Sequence, residues 1–158
     1  SAYTLRFLIL TAGRTGEVVG ARWNEFSDDT WVLAASRMKA RREHRVPLST
    51  EARKMLMVQN EAASGDYVFH RNGRCLSNMA MLQFLKRISP NATVHGFRSS
   101  FRVWAAEVSG FSSDLAEQAL AHSVGSQLER AYQRSDLLEQ RRGLMEAWGQ
   151  YITGEQVL

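Results

Sequence analysis

The second half of the chain carries a helical pattern that limits the fold more than any other feature. Apolar residues recur there at the spacing of one helix face. Pro90 and Gly110 interrupt the pattern, and both residue types commonly end helices. We therefore predict four helices, over 77–88, 95–108, 113–120 and 137–151.

The first third of the chain mixes short helices with β-rich segments. We predict a helix over Ala2–Ala12 and a short helix over Thr15–Ala21 that Thr15 caps. Two short strands are predicted at Trp31–Ala35 and Arg45–Leu48. The connection between these strands is basic, so the pair is predicted to form a hairpin with a charged tip.

Three further signals complete the first half. Ser49-Thr50-Glu51 is typical of a helix start, Tyr67–Phe69 is predicted as a third strand, and Arg71-Asn72-Gly73 is predicted as a turn. The fold class is therefore α+β, mainly α with a small antiparallel β-sheet. A length of 158 residues favours one domain, which we place at 1–152, with a flexible tail at 153–158.

Composition argues against a membrane-spanning, secreted or metal-binding protein. No apolar stretch is long enough to span a bilayer, and the run around Phe7 to Leu10 reads as a core helix instead of a signal peptide. Cys75 is the single cysteine, which forbids an internal disulfide and fits a cytoplasmic protein. His95 and His122 lack a carboxylate or cysteine at ligand spacing, so we expect neither a metal nor another cofactor.

Positive charge is clustered along the chain, although the net charge is only +4. Clustering of this kind is typical of phosphate binding, but a solvated basic face explains it equally well. The largest cluster spans the predicted hairpin connection and the start of the following strand, and it contains Arg37, Lys39, Arg41, Arg42 and Arg45.

Five short motifs occur in one order: GRTGEV at 13–18, RMKARREHRVPL at 37–48, HGFRSSF at 95–101, LAHSVG at 120–125 and ERAYQRSD at 129–136. This order resembles the catalytic domain of tyrosine recombinases, and within them the integrases of prophages and genomic islands. The resemblance runs from the first helix to Ile152. One departure is Leu-Ala-His at His122, where the family usually has Leu-Gly-His, but the small residue is kept.

The resemblance implies an enzyme that attacks a phosphodiester with Tyr132. Arg14 and Arg98 would clamp the phosphate, because a guanidinium binds two oxygens at once and stays charged. Glu17 would support Arg14, and His122 would donate a hydrogen bond to the phosphate. His95 would assist proton transfer with the tyrosine, and Lys39 would protonate the leaving oxygen. Arg37, Arg41 and Arg42 would bind flanking phosphates.

Each of these residues also has a structural interpretation. Arg14 could simply pair with Glu17 on one helix face, and His95 could be a helix cap. His122 could be structural at a helix end, and Lys39 could be one more solvated cation. Tyr132 could pack on a terminal helix.

The function that this resemblance implies is site-specific cutting and rejoining of double-stranded DNA attachment sites through a covalent 3′-phosphotyrosyl intermediate. A type IB topoisomerase, or a non-catalytic DNA-binding module of the same fold, is the alternative. Relatives of this kind work as tetramers on DNA and carry a preceding DNA-binding domain. Because this chain begins close to Arg14, we expect a monomeric domain with weak, salt-dependent DNA binding.

In the family the C-terminal segment docks on a neighbouring protomer. Leu144, Met145 and Trp148 could serve that docking or pack on their own core.

Overall fold

Helix α1 (Ala2–Thr11) contacts four other helices in the computed structural model, which describes residues 1–63, 65–122 and 136–154. Its Phe7, Leu8 and Leu10 are almost completely buried. The predicted helix over Ala2–Ala12 is therefore confirmed, with its last residue forming the cap. Its position at the centre of the fold explains why its sequence is apolar on nearly every side.

The end of α1 is shaped by Ala12 and Gly13. Ala12 adopts the left-handed conformation, and Gly13 donates its N–H to the Leu8 carbonyl at 3.2 Å, which closes the helix. A Cβ at Gly13 would lie 2.9 Å from a methyl carbon of Val18, so only glycine fits this close turn. Helix α2 (Thr15–Val19) then begins at once. The prediction that Thr15 caps it was wrong, because Arg14 occupies the N-cap position.

The predicted hairpin is confirmed as part of a three-stranded antiparallel sheet, in the order β1 (Phe26–Ser27), β2 (Thr30–Leu33) and β3 (His44–Pro47). Trp31 on β2 lies opposite Val46 on β3, and both side chains are buried. Burial of this alternate face fixes the register, because a slip by one residue would expose it.

The prediction of a third strand at Tyr67–Phe69 was wrong. Tyr67 forms only an isolated antiparallel bridge with Arg22, because the chain after Arg22 turns into a 3-10 helix at Trp23–Glu25. The predicted turn at Asn72-Gly73 is confirmed. It joins two short strands, β4 (His70–Arg71) and β5 (Arg74–Cys75), and both turn residues have positive φ, as a two-residue hairpin turn requires.

The helical second half is confirmed to within one or two residues at most ends. Ser49 accepts a hydrogen bond from the Ala52 N–H and so caps the helix predicted to start there. The remaining helices are α3 (Thr50–Glu61), α4 (Met79–Ile88), α5 (Gly96–Glu107), α6 (Ser113–Ala119) and α7 (Leu138–Thr153).

Two hydrophobic clusters meet around α1. The first joins α1, α2, the three-stranded sheet, α3 and α4, and the second joins α5, α6 and α7. Leu144, Met145 and Trp148 on α7 are buried in the second cluster of their own chain, where Trp148 also donates to the Ile9 carbonyl at 2.8 Å. Of the two roles expected for these three residues, the structure shows packing on their own core.

Candidate active site

Arg14 lies where α1 gives way to α2, and its conformation is fixed by Glu17. The Glu17 carboxylate accepts from the Arg14 backbone N–H at 2.9 Å and from its Nη1 at 2.8 Å. The same carboxylate therefore closes the start of α2 and orients the guanidinium. Glu17 is buried, whereas about a quarter of the Arg14 side chain is exposed. The pairing expected from the sequence is present, and it leaves Arg14 accessible.

Arg98 projects from the first turn of α5 into the junction between the two clusters, and it is only 5% exposed. Its Nη1 donates to the Ala12 carbonyl, and its Nη2 donates to the Leu120 carbonyl at 2.7 Å. Burial, and next the positive charge of Arg14, lower the pKa of Arg98 to about 10. The guanidinium is therefore still positively charged near neutral pH.

The Leu120 carbonyl is the point where the two arginines meet. It accepts from Arg98 Nη2 at 2.7 Å and from Arg14 Nη2 at 3.4 Å. Two guanidinium groups that share one carbonyl lie within a few ångströms of each other, although like charges repel. Such a pair favours an anion as the third partner, and a phosphate oxygen suits both forks.

His122 adds a third polar group to this pair, two residues after Leu120. Its Nε2 lies 3.4 Å from Arg98 Nη2, and its Nδ1 lies 2.6 Å from a carboxylate oxygen of Glu117. The ring is held between a cation and an anion and is 43% exposed. The structure thus brings together three of the predicted site residues: Arg14, Arg98 and His122.

His95 and Lys39, the two residues predicted to transfer protons, lie at exposed positions. His95 is the N-cap of α5, one helical turn before Arg98, so both residues lie on one side of the helix start. Lys39 lies in the tip between β2 and β3, next to Met38, whose buried side chain anchors the tip to the core. The Arg98 backbone N–H donates to the His95 carbonyl at 3.1 Å. Within the described ranges, no side-chain hydrogen bond joins His95 or Lys39 to Arg14, Arg98 or His122, and their proposed roles stay predictions.

The three arginines predicted to bind DNA differ from one another. Arg41 and Arg42 are exposed in the hairpin tip. Arg37 instead forms an ion pair with Glu25 and donates to the Glu17 carbonyl at 2.7 Å. Its guanidinium therefore holds the end of α2 against the chain before β1, which is a structural task that the basic pattern did not predict.

His44 is a site-lining residue that the sequence analysis missed. It begins β3, and its Nε2 donates to the Ala119 carbonyl at 3.2 Å, next to the Leu120 carbonyl that the two arginines share. Burial, and next the charge of Arg141, lower the pKa of His44 to about 4, so its ring is neutral at neutral pH. The signal in the sequence was a histidine two residues before the buried Val46, where alternation along a strand places both side chains on one face.

Tyr132, the predicted nucleophile, lies outside the described residues, which resume at residue 136. Asp136 is bound by Arg45 of β3 through two hydrogen bonds of 2.7 Å each and by Arg141 of α7 at 3.1 Å. Residues 44 and 45 of β3 therefore hold the chain on both sides of the interval that contains Tyr132, through Ala119 before it and Asp136 after it.

The described residues contain no group of three or more histidine, cysteine, aspartate or glutamate side chains placed to hold a metal ion. None of the helices in this part of the chain combines the length and the apolar character needed to cross a membrane.

The phage integrase family model matches residues 1–138, which include Arg14, Arg98, His122 and the interval containing Tyr132. This chain belongs to the phage integrase family. Prophage integrase IntA of Escherichia coli strain K12 is 35% identical to it over 152 residues, 91% of this chain and 37% of the relative.

Two further relatives agree with this assignment. Prophage integrase IntZ of the same strain is 39% identical over 156 residues, 94% of this chain and 38% of the relative. The integrase of enterobacteria phage P4 is 30% identical over 172 residues, 94% of this chain and 39% of the relative. The chain thus spans less than two fifths of the length of these relatives. No solved structure matches it significantly.

Proposed function

We propose that this chain is the catalytic part of a site-specific DNA recombinase, which cuts and rejoins double-stranded DNA through Tyr132. The observation that carries the proposal is the meeting of Arg14 and Arg98 at the Leu120 carbonyl, with His122 beside them. A buried Arg98 beside the partly exposed Arg14 is not needed to stabilise a helical fold, and an anionic ligand accounts for the pair.

The chemistry of phosphodiester cleavage matches these groups. Attack on the phosphorus spreads negative charge over the non-bridging oxygens, and preorganised donors stabilise that charge. Arg14 and His122 are the accessible donors, and the buried Arg98 adds its positive charge beside them. Since both arginines are fixed by hydrogen bonds before any ligand arrives, little reorganisation is needed during the reaction.

Two proton transfers complete the proposed reaction. The Tyr132 hydroxyl loses its proton as it attacks, and His95 accepts it or passes it on. The bond to the 5′-oxygen breaks, and Lys39 gives that oxygen a proton. The product is a 3′-phosphotyrosyl link and a free 5′-hydroxyl, and the reverse attack by a 5′-hydroxyl rejoins a strand.

The partners follow from the same proposal. The substrate is a double-stranded attachment site, and two such sites must be held together for exchange, which requires a tetramer of the full-length protein. The isolated chain is proposed to be a monomer that acts in the cytoplasm, where the DNA is. Arg41 and Arg42 would add affinity through phosphates without reading sequence.

The test is covalent trapping on a nicked duplex that carries a candidate attachment site. Loss of the short fragment beyond the nick prevents rejoining, so the protein stays linked to DNA. We expect a DNA-linked band that survives denaturant in the wild type and is absent in Tyr132→Phe. Tyr151→Phe is the matched control, because Tyr151 is an exposed tyrosine on α7.

The outcomes separate the alternatives. A band retained in Tyr132→Phe would assign the nucleophile elsewhere. No band from wild type, with DNA binding established by a gel shift, would favour a non-catalytic DNA-binding module. Relaxation of supercoiled plasmid without site preference would favour a topoisomerase.

A further inference from the structure

We propose that Glu117 is a positioning residue, which fixes the ring orientation and tautomer of His122 and supports that ring when it binds the phosphate. The inference rests on the proposed function, because it assigns to Glu117 a part in DNA cleavage. It adds a residue that no motif of the sequence singled out.

The two contacts of His122 determine where its proton lies. A guanidinium has only donors, so the contact of 3.4 Å between Arg98 Nη2 and His122 Nε2 requires Nε2 to accept. The Glu117 carboxylate has only acceptors, so the contact of 2.6 Å with Nδ1 requires Nδ1 to donate. Both conditions are met by the tautomer that carries its proton on Nδ1.

Glu117 is itself held as a carboxylate in the right place. It projects from α6 and forms an ion pair with Arg102 of α5. Burial works to raise the pKa of Glu117, but the hydrogen bond with His122 and the charge of Arg102 outweigh burial and lower it. Arg102 therefore fixes the carboxylate from one side, and the carboxylate fixes the imidazole from the other.

The arrangement has a consequence for phosphate binding. Nε2 is the nitrogen that faces Arg98 and hence the predicted phosphate position. To donate to a phosphate oxygen, Nε2 must carry a proton while Nδ1 keeps its own, so the ring becomes a cation. A carboxylate on Nδ1 stabilises that cation and prevents the ring from turning away, as carboxylates do for histidines at other sites.

The first test is spectroscopic and needs no DNA. The chain has four histidines, so the ring nitrogen resonances can be assigned by NMR with a His122→Gln variant. In the neutral ring of His122 we expect the proton on Nδ1 in the wild type and on Nε2 in Glu117→Ala, which lacks the acceptor. An Nε2 proton in the wild type, or an unchanged tautomer in Glu117→Ala, would overturn the proposal.

The second test measures strand cleavage with Glu117→Gln, which keeps the size and an acceptor but removes the charge. At saturating nicked duplex we expect adduct formation to slow by about 10- to 100-fold, because the hydrogen bond from Nδ1 loses its charged acceptor. Affinity for the duplex should stay within about twofold, because Glu117 does not touch DNA in this scheme. Glu107→Gln, an exposed carboxylate at the end of α5, is the matched control and should cleave like wild type.

The two tests fail in distinguishable ways. A wild type that forms no adduct would remove the proposed function, while the tautomer measurement would still decide the contact itself. A wild type that forms an adduct, with Glu117→Gln cleaving at the same rate, would overturn the positioning role alone. Slower cleavage that disappears at higher DNA concentration would assign Glu117 to binding and likewise overturn it.

Discussion

Two regions of the protein each bury an arginine, and their guanidinium groups have different partners. Arg141 on α7 is 1% exposed and contacts the Asp136 carboxylate as well as the Asp136 and Arg45 carbonyls, at 2.6 to 3.1 Å. Arg98 on α5 is 5% exposed and contacts two carbonyls and His122. In the described part of the chain, Arg98 has no carboxylate bonded to it.

The difference fits a structural role for the charge of Arg141 and the proposed ligand-binding role for that of Arg98. Burial lowers the pKa of Arg141, and the charge of Asp136 opposes that change. For Arg98 the second cause is a like charge, Arg14, which acts in the same direction as burial. Each arginine also has an opposing influence, since Arg45 lowers the pKa of Arg141 and the carboxylates of Glu17 and Glu117 raise that of Arg98. What separates the two is the bonded carboxylate: Arg141 has one in Asp136, whereas Arg98 is bonded to carbonyls and gains more from an added anion.

The largest expected effect is on DNA cleavage, which should depend on Arg98. Arg98→Lys keeps the charge but loses the fork that holds two carbonyls and faces the proposed phosphate position. We expect adduct formation on the nicked duplex to fall about 100- to 1000-fold, as on removal of one donor to a developing oxyanion. Arg6→Lys, at a surface ion pair with Glu51, is the control. A rate within threefold of wild type would contradict the assignment of Arg98.

The second largest expected effect is on the free energy of unfolding, which should depend on Arg141. Arg141→Met removes three donors and leaves two carbonyls unpaired, so we expect a loss of about 3 kcal/mol in the free energy of unfolding. Arg142→Met changes the neighbouring residue, which pairs at the surface with Asp29 and Glu139, and should cost less than about 1 kcal/mol. Urea unfolding at pH 7 measures both. Equal midpoints would show that Arg141 is not needed for the fold.

His44 lies between the two regions and gives a pH-dependent prediction. Its folded pKa of about 4 is below the ordinary 6.5, so the unfolded chain binds more protons between these values. Stability should therefore fall as the pH drops from about 6.5 to about 4, by on the order of 3 kcal/mol when complete. His44→Gln keeps a donor for the Ala119 carbonyl but cannot titrate, so its stability should change less over this range. Asp136 and Glu117, whose pKa values are lowered, add their losses below about pH 4.

The fold was largely predictable because its signals are local. Helix periodicity, the Ser49 cap and the Asn72-Gly73 turn each depend on a few neighbouring residues, and all three appear in the structure. The strand at Tyr67–Phe69 was wrong because its pairing depends on the course of a distant segment. The apolar residues Val68 and Phe69 resemble a buried strand in the sequence, and both are buried. However, the pairing with Arg22 ends after one bridge, because the 3-10 helix begins at Trp23.

The site was predictable in its residue types and less so in its contacts. The motifs indicated Arg14, Arg98 and His122, but nothing in their spacing indicates that the two arginines share the Leu120 carbonyl. Glu117 and His44 were missed for the same reason, because each acts through contacts with another element. Predicting a contact between two elements requires the tertiary structure, whereas predicting which residue types form the site requires only the motif.

The smallest expected effect extends the comparison to the hairpin tip, where Arg37 and its neighbours look alike in the sequence. Arg41 and Arg42 are exposed, so Arg41→Gln or Arg42→Gln should weaken DNA binding and reduce the slope of log K against log salt by about 1 if a phosphate contact is lost. Arg37→Gln should leave that slope unchanged and instead lower the free energy of unfolding by about 1 kcal/mol, since it breaks the contacts with Glu25 and the Glu17 carbonyl. Gel shifts over a salt series, together with urea unfolding, measure both quantities. A reduced slope for Arg37→Gln with unchanged stability would mean that this guanidinium leaves Glu25 to bind DNA. Partial burial beside a carboxylate would then be a poor guide to which positively charged residues stabilise the fold.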